Sequence, residues 1–240
     1  MKKVLYSLFT LPLALAACTP TQPQPPANTT PKLAALKSAF ALDTGNLNEF
    51  ADVGCNTDQT PDKPWGDDNF LNKFCVAADA DFVYLGSSTR VGNGNSVIHY
   101  IALDNGSAAR EMLKLDAWRR HVTFDPTVPG PNYFLANFER STTPNFRKIE
   151  TVSPTAITTS EPALPANSVK VTVDGLNVLT KAKVPRAALG AFDKAHFAVV
   201  LVGNDDYGGG VILPNTGNTI KNSDAEKFAI TLKKILTFVK

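Results

Sequence analysis

Nine short segments rich in Val, Ile, Leu, Phe and Tyr follow one another between residues 74 and 203, and Gly, Asn, Asp or Pro separates them. This succession limits the fold more than any other feature of the chain. Alternation of apolar and polar residues puts every second side chain on one face, so each segment reads as a strand with a face to bury. The segments are 74–78, 82–88, 96–103, 119–124, 132–138, 145–150, 168–174, 176–183 and 195–203. "RVGNGNS" (90–96) and "VDGLN" (173–177) carry the Gly-Asn and Asp-Gly chemistry of tight hairpins. Strands do not alternate with helices, which argues against a doubly wound sheet. The expectation is a mainly β protein, a jelly-roll or immunoglobulin-like β-sandwich.

One helix is expected, at the C-terminus. Ser223 and Glu226 have the spacing of a capping box, and Ala225, Phe228, Ala229, Leu232, Ile235, Leu236 and Val239 fall on one helical face. Such a stripe packs on a sheet or sandwich edge; docking onto a partner or a membrane surface is the alternative use of it.

The other end of the chain carries an address. "MKKVLYSLFTLPLALAACTP" opens with two lysines, continues as an apolar run from Val4 to Ala17, and stops at Cys18. This is the layout of a secretory signal, with a run too short to span a bilayer. Leu15-Ala16-Ala17-Cys18 resembles the lipobox of bacterial lipoproteins. The resemblance implies that residues 1–17 are removed and that Cys18 becomes the lipid-bearing first residue, anchoring the protein in the bacterial envelope and facing the periplasm or the exterior. "TPTQPQPPANTTP" (19–31) is uncharged and almost free of apolar side chains, so it has nothing to bury and reads as an extended tether. At about 3.1 Å per residue it reaches roughly 40 Å. The folded domain is expected over 32–240.

With Cys18 assigned to lipid, Cys55 and Cys75 remain, and an even pair in an exported chain is expected to form a disulfide. The chain has 24 basic and 22 acidic residues; losing Lys2 and Lys3 with the leader makes the counts equal. A neutral mature chain lacks the basic footprint of a nucleic-acid binder.

"FLNKFCVAADADFVYLG", "NSVIHYIALDNG", "AWRRHVTFDPTVPGPNYFLANFE" and "LTKAKVPRAALGAF" together resemble the β-sandwich modules grouped as DOMON-like or family 9 carbohydrate-binding-like, including the C-terminal domain of glucodextranase. The shared features are a strand entering an acidic turn, the core triplet Val83-Tyr84-Leu85, a strand ending in Leu-Asp and Gly, and a Val-Pro-x-x-x-Leu turn at Val184–Leu189. The resemblance covers about residues 40–215 in strand order and implies a non-catalytic, carbohydrate-binding domain. The C-terminal helix lies outside it.

Chemistry motifs are sparse. No G-x-S-x-G elbow or H-E-x-x-H zinc motif occurs, and His99, His121 and His196 lie in strand-like stretches without a spaced partner. No catalytic residue is assigned. "GNDDYGGGVILP" (203–214) is a glycine-rich loop without the Lys-Ser/Thr of a phosphate loop. There Asp205, Asp206 and Tyr207 offer carboxylate and aromatic surfaces to a sugar, and Trp65 in "DKPWGDD" is the most loop-like stacking ring, with Trp118 and Tyr133 as further aromatic candidates. Asp79 and Asp81 sit at a hairpin corner. Turn chemistry accounts for them, and calcium is the alternative because it takes several hard oxygens, of which Asp67, Asp68, Asp79, Asp81, Asp104, Asp205 and Asp206 supply many. The expected function is that of an envelope-anchored lipoprotein with a non-catalytic, carbohydrate-binding β-sandwich; the alternative is a structural or protein-interaction module of the envelope.

Overall fold

The architecture comes from a computed structural model describing residues 30–51, 53, 55–57, 66–92, 94–105, 111–112, 121–124, 129–152, 157–203, 210–213, 229–232 and 236–239. The strands are β1 (Cys55–Thr57), β2 (Phe70–Ala78), β3 (Phe82–Arg90), β4 (Asn95–Leu103), β5 (Glu111–Met112), β6 (His121–Phe124), β7 (Tyr133–Phe138) and β8 (Asn145–Val152). They continue as β9 (Ile157–Ser160), β10 (Val169–Asp174), β11 (Asn177–Pro185), β12 (Lys194–Gly203), β13 (Gly210–Leu213), β14 (Ala229–Leu232) and β15 (Leu236–Val239). Among the described residues helices are few: α1 (Thr30–Ala39) and the single turn α2 (Arg186–Leu189), with a 3-10 turn at Asn48–Phe50.

Each of the nine expected segments contains a strand. A five-stranded sheet in the order β1-β2-β3-β11-β10 faces a seven-stranded sheet in the order β13-β12-β4-β7-β8-β9, with β15 added beside β12. Both are antiparallel. Leu71, Phe74, Val83, Leu85, Val178 and Val184 from the first sheet and Val97, Ile101, Leu135, Phe197, Val199 and Leu201 from the second share one buried cluster, which makes the pair a β-sandwich. The Asp-Gly signal at 174–175 is a two-residue hairpin: Asp174 pairs with Asn177, and Gly175 supplies the positive φ of 58° at the first central position.

The first sheet is also covered on its outer face. Residues 35–53 lie across it as a strap, in which Leu36, Phe40, Leu47, Phe50 and Val53 pack on Cys75, Ala77, Tyr84 and Leu179. Cys55 follows the strap directly, pairs with Cys75 across β1 and β2, and is disulfide-bonded to it, so the strap is pinned covalently where it ends. Gly86 on β3 gives the strap its seat. A Cβ there would lie 2.6 Å from Leu47 Cδ2 and 2.8 Å from Phe50 Cε2. Gly86→Ala is expected to cost about 1–3 kcal/mol through overpacking and to speed proteolysis within 40–53. An unchanged melting temperature and cleavage rate would show that the strap is not seated as described.

The C-terminal helix expected over 223–239 is corrected by the structure: its described parts, 229–232 and 236–239, are the strands β14 and β15. The physical reason lies in the edge of β12. β13 pairs only with residues 199–202 of β12, and β15 takes the free stretch 194–197. Thr237, Phe238 and Val239 are strand-favouring residues, and pairing with an available edge outweighs a helical stripe that nothing else fixes. β14 instead pairs in parallel with β6, in a third sheet ordered β14-β6-β5.

Candidate functional site

The registers sort the connections onto two poles. Phe70 and Asn177 both pair with Arg90, Asn95 pairs with Gly203, and Ser96 pairs with Phe138. One pole therefore carries the described stretches 66–69, 91–92, 139–144 and 175–176, together with the strand ends Gly203 of β12 and Gly210 of β13. The opposite pole has the hairpin 79–81 and the α2 turn.

At the hairpin pole, Asp79 Oδ1 accepts the backbone N–H groups of Asp81 and Phe82, both at 2.7 Å. Its Oδ2 accepts the Tyr84 hydroxyl at 2.8 Å. The geometry is that of an Asx turn closed by a phenol. Burial pushes the Asp79 carboxyl upward, but the two amides, the Tyr84 hydroxyl and Lys37 outweigh it, and its pKa falls below the ordinary carboxylate value. Burial and the Asp79 carboxylate push the Tyr84 phenol up. Asp81 takes the strap's Lys37 Nζ at 2.5 Å, and Asp79 Oδ2 lies 3.7 Å from the same nitrogen. Arg186 adds a guanidinium bond to the Phe192 carbonyl at 2.9 Å and lies over the Phe192 ring at 4.1 Å. Among the described residues no group of three His, Cys, Asp or Glu side chains converges, and the cation against the two aspartates is a lysine.

Asp79→Ala is expected to destabilise by about 2 kcal/mol, because two amides and a buried hydroxyl lose a charged acceptor. Asp79→Asn, which keeps an oxygen for the amides, is expected to cost less. Equal denaturation midpoints for all three proteins would remove the turn role.

The other pole has a polar rim. Asn69 Oδ1 accepts the Gly92 N–H at 2.8 Å and the Asn95 side-chain amide. Arg140 donates to the Val91 carbonyl at 3.0 Å, and Arg90 pairs with Asp68 at 3.1 Å. None of this was visible in the sequence. Asn69 and Asn95 sit where strands begin, and no spacing signals that inter-sheet proximity joins them.

A shallow groove of about 450 Å³ runs along the flank between the two sheets, lined by Pro144, Asn145, Phe146, Leu164, Pro165 and Asn167 among others. Arg147 and Glu161 pair beside it at 2.8 Å. Between the sheets, Ser87 Oγ lies 2.7 Å from His99 Nε2, while His99 Nδ1 faces the Leu135 carbonyl at 3.2 Å. A proton on Nδ1 satisfies that carbonyl and leaves Nε2 to accept from Ser87. Burial lowers the His99 pKa to about 4, so the imidazole is neutral at pH 7. A serine and a histidine in this arrangement would suit nucleophilic chemistry, but Ser87 is 0% and His99 1% exposed. The pair is a cross-link between sheets.

The other residues singled out in the sequence distribute as follows. Cys55 and Cys75 form the disulfide. Tyr133, considered as a stacking platform, is corrected to a core residue: it is buried, stacks on Phe146 and donates its hydroxyl to the Leu189 carbonyl at 3.2 Å. Asp104 accepts the backbone N–H groups of Asp193 and Lys194, joining β4 to the start of β12. Cys18, Trp65, Trp118, Asp205, Asp206 and Tyr207 lie outside the described residues. The chain matches no family model, and neither the curated proteins nor the solved structures contain a significant match to it.

Proposed function

We propose that the protein is an envelope lipoprotein, acylated at Cys18 and held on its proline-rich tether, whose sandwich binds carbohydrate without catalysis. One observation carries the binding part. The connection that contains Trp65 enters β2 at Phe70, the connection that contains Asp205, Asp206 and Tyr207 joins Gly203 to Gly210, and the registers put both strand ends on one pole. The rim there, Asp68, Arg90 and Arg140 around the buried Asn69–Asn95 pair, supplies carboxylate and guanidinium groups of the kind that hydrogen-bond hydroxyls, and Trp65 and Tyr207 are the residues of these two connections whose rings suit sugar C–H faces. The Ser87–His99 pair, the Ser–His contact described above, is buried and presents no nucleophile at the surface.

A glycan array probed with the soluble Cys18→Ala protein tests the reading. Binding is expected, with a loss of about 1 kcal/mol or more on Trp65→Ala or Tyr207→Ala; repeating the array with EDTA tests a calcium requirement. No glycan above background sinks it. Metabolic labelling with a palmitate analogue tests the anchor, with label expected on the unaltered chain and absent from Cys18→Ala. The second reading, a structural or protein-interaction module, is favoured by the flank groove, and pull-down from envelope extracts that Phe146 and Leu164 substitutions abolish would support it over the sugar.

A further inference from the structure

The outer face of the seven-stranded sheet is as apolar as its inner one. On β4, Val97, Ile101 and Leu103 belong to the sandwich core, so Ile98, Tyr100 and Ala102 point the other way. The same alternation directs Phe134 and Ala136 on β7, and Ala198, Val200 and Val202 on β12, away from the sandwich. None of these eight side chains is more than 2% exposed. The strap does not account for this, since its apolar cluster lies on the five-stranded sheet.

We propose that the third sheet, β5-β6-β14, docks on this face and makes the protein a three-layered β structure, with the C-terminal segment bound to the protein itself. Chain connectivity points there from three directions. β5 follows β4 after the connection 104–110, β6 precedes β7 by the connection 125–132, and β14 precedes β15 by only 233–235. Four Cα steps from Leu232 to Leu236 reach at most roughly 14 Å. Leu236 pairs with Phe197, the neighbour of Ala198 on β12. Packed sheets stand about 10 Å apart, so β14 lies within one layer of the apolar face, while the inner side of the same strands is already filled by the first sheet. Parallel pairing with β6 then ties the C-terminal segment to the long excursion between β4 and β7.

The test uses the full chain carrying Cys18→Ala, so that an introduced cysteine is the one free thiol. Ala198→Cys reports on the face, Ala187→Cys is an exposed reference, and Ala182→Cys is an interior one. Alkylation at 198 is expected to be at least 100-fold slower than at 187. Val122→Pro, which breaks the ladder of the central strand β6, is expected to bring the rate at 198 to within tenfold of that at 187 while 182 stays protected. Rapid labelling at 198 in the unbroken protein, or protection at 198 after β6 is broken, overturns the proposal. Should Val122→Pro also release 182, methyl–methyl NOEs in the protein without that substitution decide. Contacts from Ala198 or Val200 to residues 121–124 or 229–232 are expected, and their absence overturns the docking.

Discussion

Glu49→Gln is expected to lower the unfolding free energy by about 3–5 kcal/mol, because it leaves a buried ammonium without its counter-charge. Lys181 is on the outer face of β11, yet its side chain is 1% exposed and Glu49 beside it is 6% exposed. Nζ donates to Glu49 Oε1 and, at 2.5 Å, to Thr44 Oγ1, and stands 5.0 Å from the Phe40 ring. All three partners belong to the strap. Taking both charges out of water is itself costly, so the pair as a whole adds little over an apolar replacement. The double variant Glu49→Gln, Lys181→Met is therefore expected to recover most of the loss. Urea denaturation of the single and double variants separates these outcomes; a single variant within about 0.5 kcal/mol of the parent would mean that the pair is solvated.

The second large effect is acid sensitivity through His99. Burial depresses its folded pKa to about 4 from the ordinary 6.5, and the Leu135 carbonyl only partly offsets this. Below pH 6.5 the unfolded chain takes up a proton that the folded one refuses, so stability is full above 6.5, falls as the pH drops, and levels off near pH 4. A separation of roughly two and a half pH units corresponds to about 3 kcal/mol. His99→Gln keeps a polar partner for Ser87 but cannot titrate, and its stability is expected to lose that slope between pH 6.5 and 4. Parallel pH profiles for parent and variant would remove His99 as the cause.

Period-two alternation made the nine strands readable because all of them but the four-residue β6 run six residues or more, long enough to show two faces. It fails for β1, β5, β9 and β13, which are two to four residues long. It also fails for what lies over a face. Lys181 in "LTKAKV" reads as solvent-facing, and it does point outward from the sandwich, but residues 35–53 come back to cover it. The C-terminal segment satisfied a helical stripe and a strand composition together; the open edge of β12 decided between them, and an edge is a property of the assembled sheet. The candidate site was legible only as residue types. Trp65 and Tyr207 are 142 positions apart in the chain, and what relates their connections is the register of Phe70, Arg90, Asn95 and Gly203.

The strap also sets an order of events as the chain is made. Its Glu49 contact with Lys181 closes over 132 residues, whereas the disulfide at its end closes over 20. Chains are synthesised at about 5–20 residues per second, so the strap's apolar side chains precede β11 by on the order of 10 s. Oxidation of Cys55 and Cys75 needs only β2, and it can hold the strap beside its sheet throughout that interval. The disulfide then acts first as a placeholder against aggregation, and its contribution to the finished fold comes later.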